Sequence, residues 1–363
     1  MYKNSTTNLT THMSFLPLVT IIVPTYNVAD YIENAIDSLL YQTYTNLEII
    51  IVDDFSTDDT LKIIKNKYSK NNKIKIFENK KNLGSSFTRN IGIQQAKGKY
   101  IALLDADDYY VKDKIKKQVQ LMEANPDIGV CSSFLQCFGL QNNIIEFSVN
   151  HSDIKDNQLL GCPVAQPATM FRTSILRKYD LYYNENFRLA QDYELFVRML
   201  ELNIQFISIP EPLVYYRISG NQASFVMDKG KMIRNKEQWE VSKKIHYKVL
   251  NKLINEKSEL YNIKWVDALL AHQVLREFAD LKPFINWAKR LIEYNEKKGS
   301  PFSSKFLEKT YKKSVAGYFL AQKELSWKIL YQYLTVYPDI ESTKMNFLYQ
   351  LKYITKCLFF LKH

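Results

Sequence analysis

The sequence predicts an α/β fold with a mainly parallel sheet flanked by helices, followed by a basic, α-helical C-terminal region. Three observations carry this expectation. Apolar, β-branched runs alternate with segments of helical spacing over the first third of the 363 residues. A polar cluster follows each of four such runs. The charge is also divided: residues 1–230 hold 24 Lys and Arg against 25 Asp and Glu, while residues 231–363 hold 25 against 13. The net charge of +11 therefore comes from the last third, which marks a boundary.

Taken in order, Val19–Val23 (VTIIV) reads as a strand ended by Pro24. Tyr31–Leu40 repeats Ile32, Ala35, Ile36, Leu39 and Leu40 at helical spacing. Glu48–Val52 reads as a second buried strand, and Asp58–Tyr68 as a helix with acids in its first turn. Lys73–Phe77 alternates as a strand, and Ser85–Ala96 is helical up to Gly98, a plausible stop. Tyr100–Leu104 is a fourth strand, and Lys112–Ala124 another amphipathic helix. Continuous apolar strands between helices indicate a parallel sheet covered on both faces, which binds ligands at the carboxyl ends of its strands. From about Phe225 the pattern becomes helices only, punctuated by Pro283, Gly299-Ser300-Pro301 and Pro338. The expected division is a tail over 1–17, a first domain over 18–228 and a basic helical region over 229–363.

With 46% hydrophobic residues a substantial core is expected. No stretch approaches the ~18 apolar residues of a membrane span. Residues 1–18 lack the basic start and apolar run of a secretory leader, so a cytoplasmic protein is expected. Cys131, Cys137, Cys162 and Cys357 show no metal-binding or ladder spacing and read as thiols in a reducing compartment. Asn8-Leu9-Thr10 fits a glycosylation sequon and is read as chance.

The four clusters are Pro24–Asn27 (PTYN), Asp53–Asp59 (DDFSTDD), Asn82–Asn90 (NLGSSFTRN) and Asp105–Asp108 (DADD). Asp105 and Asp107 flank one residue, so on extended backbone both carboxylates point the same way. Two hard oxygen ligands beside a turn suit magnesium or manganese, which keeps waters and takes further ligands from phosphates. A solvated acidic turn is the plainer reading of DADD taken alone. Asp53 and Asp54 can accept hydrogen bonds from a nucleobase or ribose, or can serve as turn residues. Arg89, one helical turn after Gly84-Ser85, can reach a base or phosphate, or be an ordinary surface arginine.

The stretches TIIVPTYNVADYIENAIDSLLYQTYTNLEIIIVDDFSTDDT, NLGSSFTRNIGIQQAKGKYIALLDADD and QDYELFVRML together resemble the inverting family 2 glycosyltransferases of bacterial cell-surface polysaccharide and lipooligosaccharide synthesis. The resemblance covers roughly residues 18–225 and implies the GT-A fold, a nucleotide-sugar donor, usually a UDP-sugar, and a divalent metal. It implies that Pro24, Thr25 and Tyr26 line the nucleotide site and that Asp54, beside Asp53, meets the uracil. Arg89 would contact the nucleotide, and Asp105, Ala106 and Asp107 form the DxD triplet, with Asp107 the principal metal ligand. The family's Glu-Asp pair reads Gln191-Asp192, which implies Asp192 as catalytic base. Read from the residues alone, Asp192 could equally be a helix cap. In YRISGNQAS the family's Tyr-Arg persists, which implies Arg217 as a nucleotide-sugar-binding residue, and its following His is missing. Gly161–Arg172 (GCPVAQPATMFR) resembles the border of the acceptor pocket.

In the last segment, Lys344–His363, Phe347, Leu351, Ile354, Leu358 and Leu361 form one helical stripe flanked by lysines. That pattern fits an interfacial helix on an anionic membrane, and equally a stripe packed on preceding helices. The expected partners are a nucleotide-sugar donor and a glycan or lipid-linked glycan acceptor. Three other classes fit the sequence less well. A non-catalytic binding protein on the same fold is opposed by the intact DxD triplet and Asp192. A nucleic-acid-binding protein lacks any motif to support it. A nicotinamide oxidoreductase would need GxGxxG after the first strand.

Overall fold

The computed structural model describes residues 16–220, 225–228, 231–255, 257–271 and 281–320. Two compact units emerge. One runs to His151 and resumes over Val164–Asn235; the other takes Ser152–Pro163 and starts again at Lys236.

The first unit opens with three βα repeats: β1 (Val19–Thr25), α1 (Ile32–Leu40), β2 (Leu47–Asp53), α2 (Thr60–Tyr68), β3 (Ile74–Glu78) and α3 (Ser85–Gln95). β4 (Tyr100–Leu103), β5 (Tyr109–Tyr110), α4 (Lys114–Ala124), β6 (Ile128–Gly139) and β7 (Ile144–Ile145) follow. After α5 (His151–Asn157) come β8 (Met170–Arg172), α6 (Thr173–Lys178), α7 (Gln191–Glu201) and β9 (Gln205–Ile218). The strands form one nine-stranded sheet in the order β3-β2-β1-β4-β8-β6-β9-β5, with β7 beside β6.

The parallel half is β3-β2-β1-β4, whose register sets Thr25 opposite Asp53 and Ile22 opposite Leu103. β1 and β2 are buried almost throughout, which is why they lack the alternation of a half-solvated strand. All four carboxyl ends consequently emerge at one edge. The second half is mixed: β8 lies antiparallel between β4 and β6, β6 and β9 are parallel, and β5 is antiparallel to β9. α3 packs so closely on β1 that a Cβ on Gly92 would lie 2.4 Å from Ile22 Cγ2.

Three local expectations change. α2 starts at Thr60, so Asp58 precedes the helix and accepts from the Thr60 and Ala29 amides instead of sitting in its first turn. Gly98 does not end α3 through a left-handed turn; Ala96 closes the helix in extended backbone. Gly98 is instead required by crowding, because a Cβ there would lie 2.5 Å from the Thr20 amide nitrogen. The segment from Phe225 also begins with a hairpin, β10 (Phe225–Asp228) and β11 (Lys231–Arg234), before any helix.

The second unit contributes α8 (Lys236–Leu250), α9 (Ile263–Ala271), α10 (Lys282–Lys297) and α11 (Ser304–Leu320). Its core includes Phe284 and Trp287, whose indole Nε1 donates to Leu260 O at 2.7 Å. Asn295 accepts from the Phe302 amide and donates to the Phe302 carbonyl, closing the turn between α10 and α11. Among the described residues no helix is long and apolar enough to cross a membrane. The stripe at Lys344–His363 lies outside the described residues.

Candidate active site

A cavity of about 580 Å³ opens at the carboxyl edge of the parallel half. Pro24, Thr25 and Tyr26 from the end of β1, Asp54 after β2, and Arg89 on α3 line it. So do Asp105, Ala106 and Asp107 after β4. Eight of the eleven residues singled out from the sequence thus meet in one place. Asp53, Asp192 and Arg217 are outside the lining.

The two acid pairs have different surroundings. Asp53 is 1% exposed and accepts from Thr25 Oγ1, the Ser56 amide and Ser56 Oγ at 3.2, 2.9 and 2.6 Å. Asp54 is 4% exposed; its Oδ1 accepts from Asn79 Nδ2 and the Leu83 amide, and its Oδ2 from the Gly84 amide, each at 2.8 Å. A carboxylate has about four acceptor positions, so the chain itself fills three of those on Asp54. Gly84 supports this brace with φ of +88°, a left-handed conformation that suits glycine.

After β4 the acids are less well matched. Asp105 Oδ1 accepts from Arg89 Nη2 at 2.8 Å. Burial, then the neighbouring Asp105, push the Asp107 carboxyl up to about 6. Asp108 is 1% exposed; one oxygen accepts from the Arg217 amide at 2.8 Å, and the other has no hydrogen-bond partner among the described residues. Burial and the charges of Asp107 and Asp105 hold it well above the usual carboxylate range. Like charges crowded out of water need a counter-charge. Among the described residues no three His, Cys, Asp or Glu side chains form a ready-made cage. Asp107 with Asp105 offers hard oxygen ligands that fit magnesium or manganese, the rest of the coordination coming from water and phosphate oxygens.

The arginines are largely committed. Arg89 is 5% exposed, and with its amide oxygen turned toward it Gln166 accepts from Arg89 Nη2 and Nε at 2.7 and 2.9 Å. Arg89 Nη1 is buried without a hydrogen-bond partner among the described residues. Arg217 lies between two rings, 4.2 Å from Tyr31 and 4.5 Å from Phe138, while its Nε donates to Asp107 O at 3.1 Å. It therefore clamps the Asp107-Asp108 turn through the main chain.

Asp192 is the second residue of α7, after Ala190 in a left-handed conformation, and its Oδ1 accepts from the Tyr193 amide at 2.8 Å. A helix N-terminus favours a charged carboxylate. Its charge reaches Arg89. Gln191, standing where the resemblance has Glu, donates to Ser85 Oγ at 3.2 Å and ties α7 to α3. Asn221–Ser224, where the family's His is missing, lies outside the described residues.

Tyr216 and Arg188 were not anticipated as site residues, and Gln166 only as part of the Gly161–Arg172 stretch. Burial, then the charges of Asp108, Asp105, Asp107 and Asp192, raise the Tyr216 phenol far above its ordinary value. The Tyr216-Arg217 dipeptide was its only sequence signal. Arg188 lines the cavity from the loop before α7.

Comparisons with known proteins agree with this architecture. The Glycosyl transferase family 2 model matches residues 20–180. An uncharacterized glycosyltransferase of Haemophilus influenzae is 34% identical over 255 residues, 67% of this chain and 76% of that protein. The hyaluronan synthase of Pasteurella multocida is 28% identical over 252 residues, 69% of this chain and 24% of that longer protein. The crystal structure of S. aureus TarS 1-349 in complex with UDP-GlcNAc aligns with a TM-score of 0.54 at 21% identity, covering 83% of this chain and 89% of that one. The mixed sheet with helices on its faces is therefore that of a GT-A glycosyltransferase. The chain belongs to glycosyltransferase family 2.

Proposed function

We propose that this protein is an inverting transferase that moves a sugar from a nucleotide-sugar donor, a UDP-sugar, to a hydroxyl of a glycan or lipid-linked glycan in surface polysaccharide or lipooligosaccharide synthesis. The observation that carries this reading is the cavity where Asp105 and Asp107 meet Arg89 and the ends of β1 and β2. The solved relative TarS was crystallised with UDP and with UDP-GlcNAc, and hyaluronan synthase is named for a polysaccharide product, which supports the same choice of substrates.

In this reading Thr25, Tyr26 and Asp54 flank the nucleoside, with Asp53 and Asp54 holding the loops that shape its pocket. Asp107 and Asp105 would hold a magnesium or manganese ion, which when bound neutralises charge on the leaving diphosphate. Asp192 takes the proton from the acceptor hydroxyl. That oxygen attacks the anomeric carbon opposite the diphosphate, and configuration inverts without a covalent enzyme intermediate. Arg217 keeps the Asp107-Asp108 turn in place. Asp192→Asn is expected to leave UDP affinity nearly intact and lower turnover ~10²-fold or more. Turnover within a few-fold of the unaltered protein would make Asp192 a helix-terminal residue and remove it as base.

Peripheral contact with the anionic inner face of the cytoplasmic membrane through Lys344–His363 belongs to the same proposal, motivated by the basic excess of the last third. Sedimentation with anionic vesicles that weakens as salt rises supports it; a chain that ignores such vesicles removes it.

A further inference from the structure

Three arginines stand near the carboxyl edge of the sheet, and two are occupied. Arg89 is buried against Asp105, with Gln166 accepting from Nη2 and Nε. Arg217 is held between Tyr31 and Phe138 and donates to a main-chain carbonyl. Arg188 differs: it lines the cavity, is exposed, and has no ion pair or side-chain hydrogen bond among the described residues.

Its loop is tied to α3 through three residues that precede it. Asn90 accepts from the Tyr183 amide at 2.8 Å and donates to Tyr183 O and Glu185 Oε1 at 2.9 and 3.1 Å. Ser86 Oγ donates to Phe187 O at 2.9 Å. The main chain beside Arg188 is thus fixed, so less freedom is lost when its side chain binds a ligand. On the same wall, Ser85 and Ser86 begin an eleven-residue helix, and Arg89, which also lines the cavity, has its buried Nη1 without a partner among the described residues. First-turn amides, a buried guanidinium nitrogen with no acceptor and an exposed guanidinium together ask for an anion with several oxygens.

We propose that Arg188 binds the diphosphate of the nucleotide donor. This rests on reading the cavity as a nucleotide-sugar site. A guanidinium can donate twice to phosphate oxygens, which an ammonium reproduces only in part.

Calorimetric titration of the full chain with UDP, uridine, a UDP-hexose and a UDP-hexuronate, at fixed magnesium, tests the assignment. Arg188→Met is expected to weaken UDP and both donors ~10-fold while leaving uridine within ~2-fold, and Arg188→Lys to recover part of the loss. Unchanged UDP affinity in Arg188→Met overturns the proposal. So does an equal loss for uridine, which would mean a collapsed loop, and so does a loss confined to the hexuronate, which would mean a sugar carboxylate. If the unaltered chain binds neither UDP nor uridine, the nucleotide reading of the cavity falls, and this assignment with it.

Discussion

The ends of β2 and β4 carry similar sequences, Asp53-Asp54 and Asp105-Ala106-Asp107-Asp108, at the same edge of one sheet. Their chemistry is opposite. At β2 each carboxylate accepts three hydrogen bonds from its own chain, and the loops Asp53–Ser56 and Asn79–Gly84 are built around them. At β4 the nearest cations give incomplete relief: Arg89 serves Asp105, Arg217 serves a carbonyl, and burial, with Asp105 beside Asp107 and with Asp107 and Asp105 beside Asp108, pushes both carboxyls upward. One pair of acids shapes the site; in the proposed reading the other takes a cation from outside the chain. Identical residue types at equivalent strand ends thus divide into scaffold and ligand-holding roles according to who supplies their hydrogen bonds.

Substitutions on the two sides should separate those roles. The largest effect is expected for Asp107→Asn, which lowers turnover of a UDP-sugar ~10²-fold or more while the melting temperature stays level or rises, since a crowded charge is removed. A clear fall in melting temperature with normal turnover would reverse the assignment. Asp54→Ala should do the converse. Losing the acceptor for two loop amides and Asn79 is expected to cost about 2–4 kcal/mol of unfolding free energy, read from urea denaturation followed by circular dichroism. An undiminished midpoint would mean that the Asn82–Gly84 loop stands without Asp54.

How much of this was legible in the sequence follows the same division. β1, β2 and β4 show as continuous apolar runs because they are buried on both faces, whereas the edge strand β3 alternates. β6 and β9 escaped notice: β6 carries Ser132, Ser133 and Gln136, and β9 is broken by Pro210 and Pro212 where its register with β6 shifts. The hairpin of β10 and β11 was masked by its Lys231 and Arg234, residues that the helical reading absorbed. The clustering of the polar motifs was legible, because parallel strands put their carboxyl ends together. Their partners were not. Asp54 finds the Leu83 and Gly84 amides about thirty residues away, and Arg217 finds its rings on Tyr31 and Phe138, contacts that spacing cannot encode. Lys114 makes the point inside a helix. It reads as a surface lysine, yet it is fully buried, lies 3.9 Å from the Tyr110 ring and donates to Gln118 Oε1, and burial lowers its ammonium to about 7.

The affinity for UDP with manganese or magnesium, against that in EDTA, tests the contrast between the two strand ends most directly when measured in parallel on the unaltered chain and on Asp107→Asn. The metal is expected to tighten UDP binding ~10-fold or more in the unaltered chain and hardly at all in Asp107→Asn. Equal UDP affinity with metal and with EDTA in the unaltered chain, together with full transfer activity in EDTA, would contradict the claim that the acids after β4 hold a cation for the diphosphate.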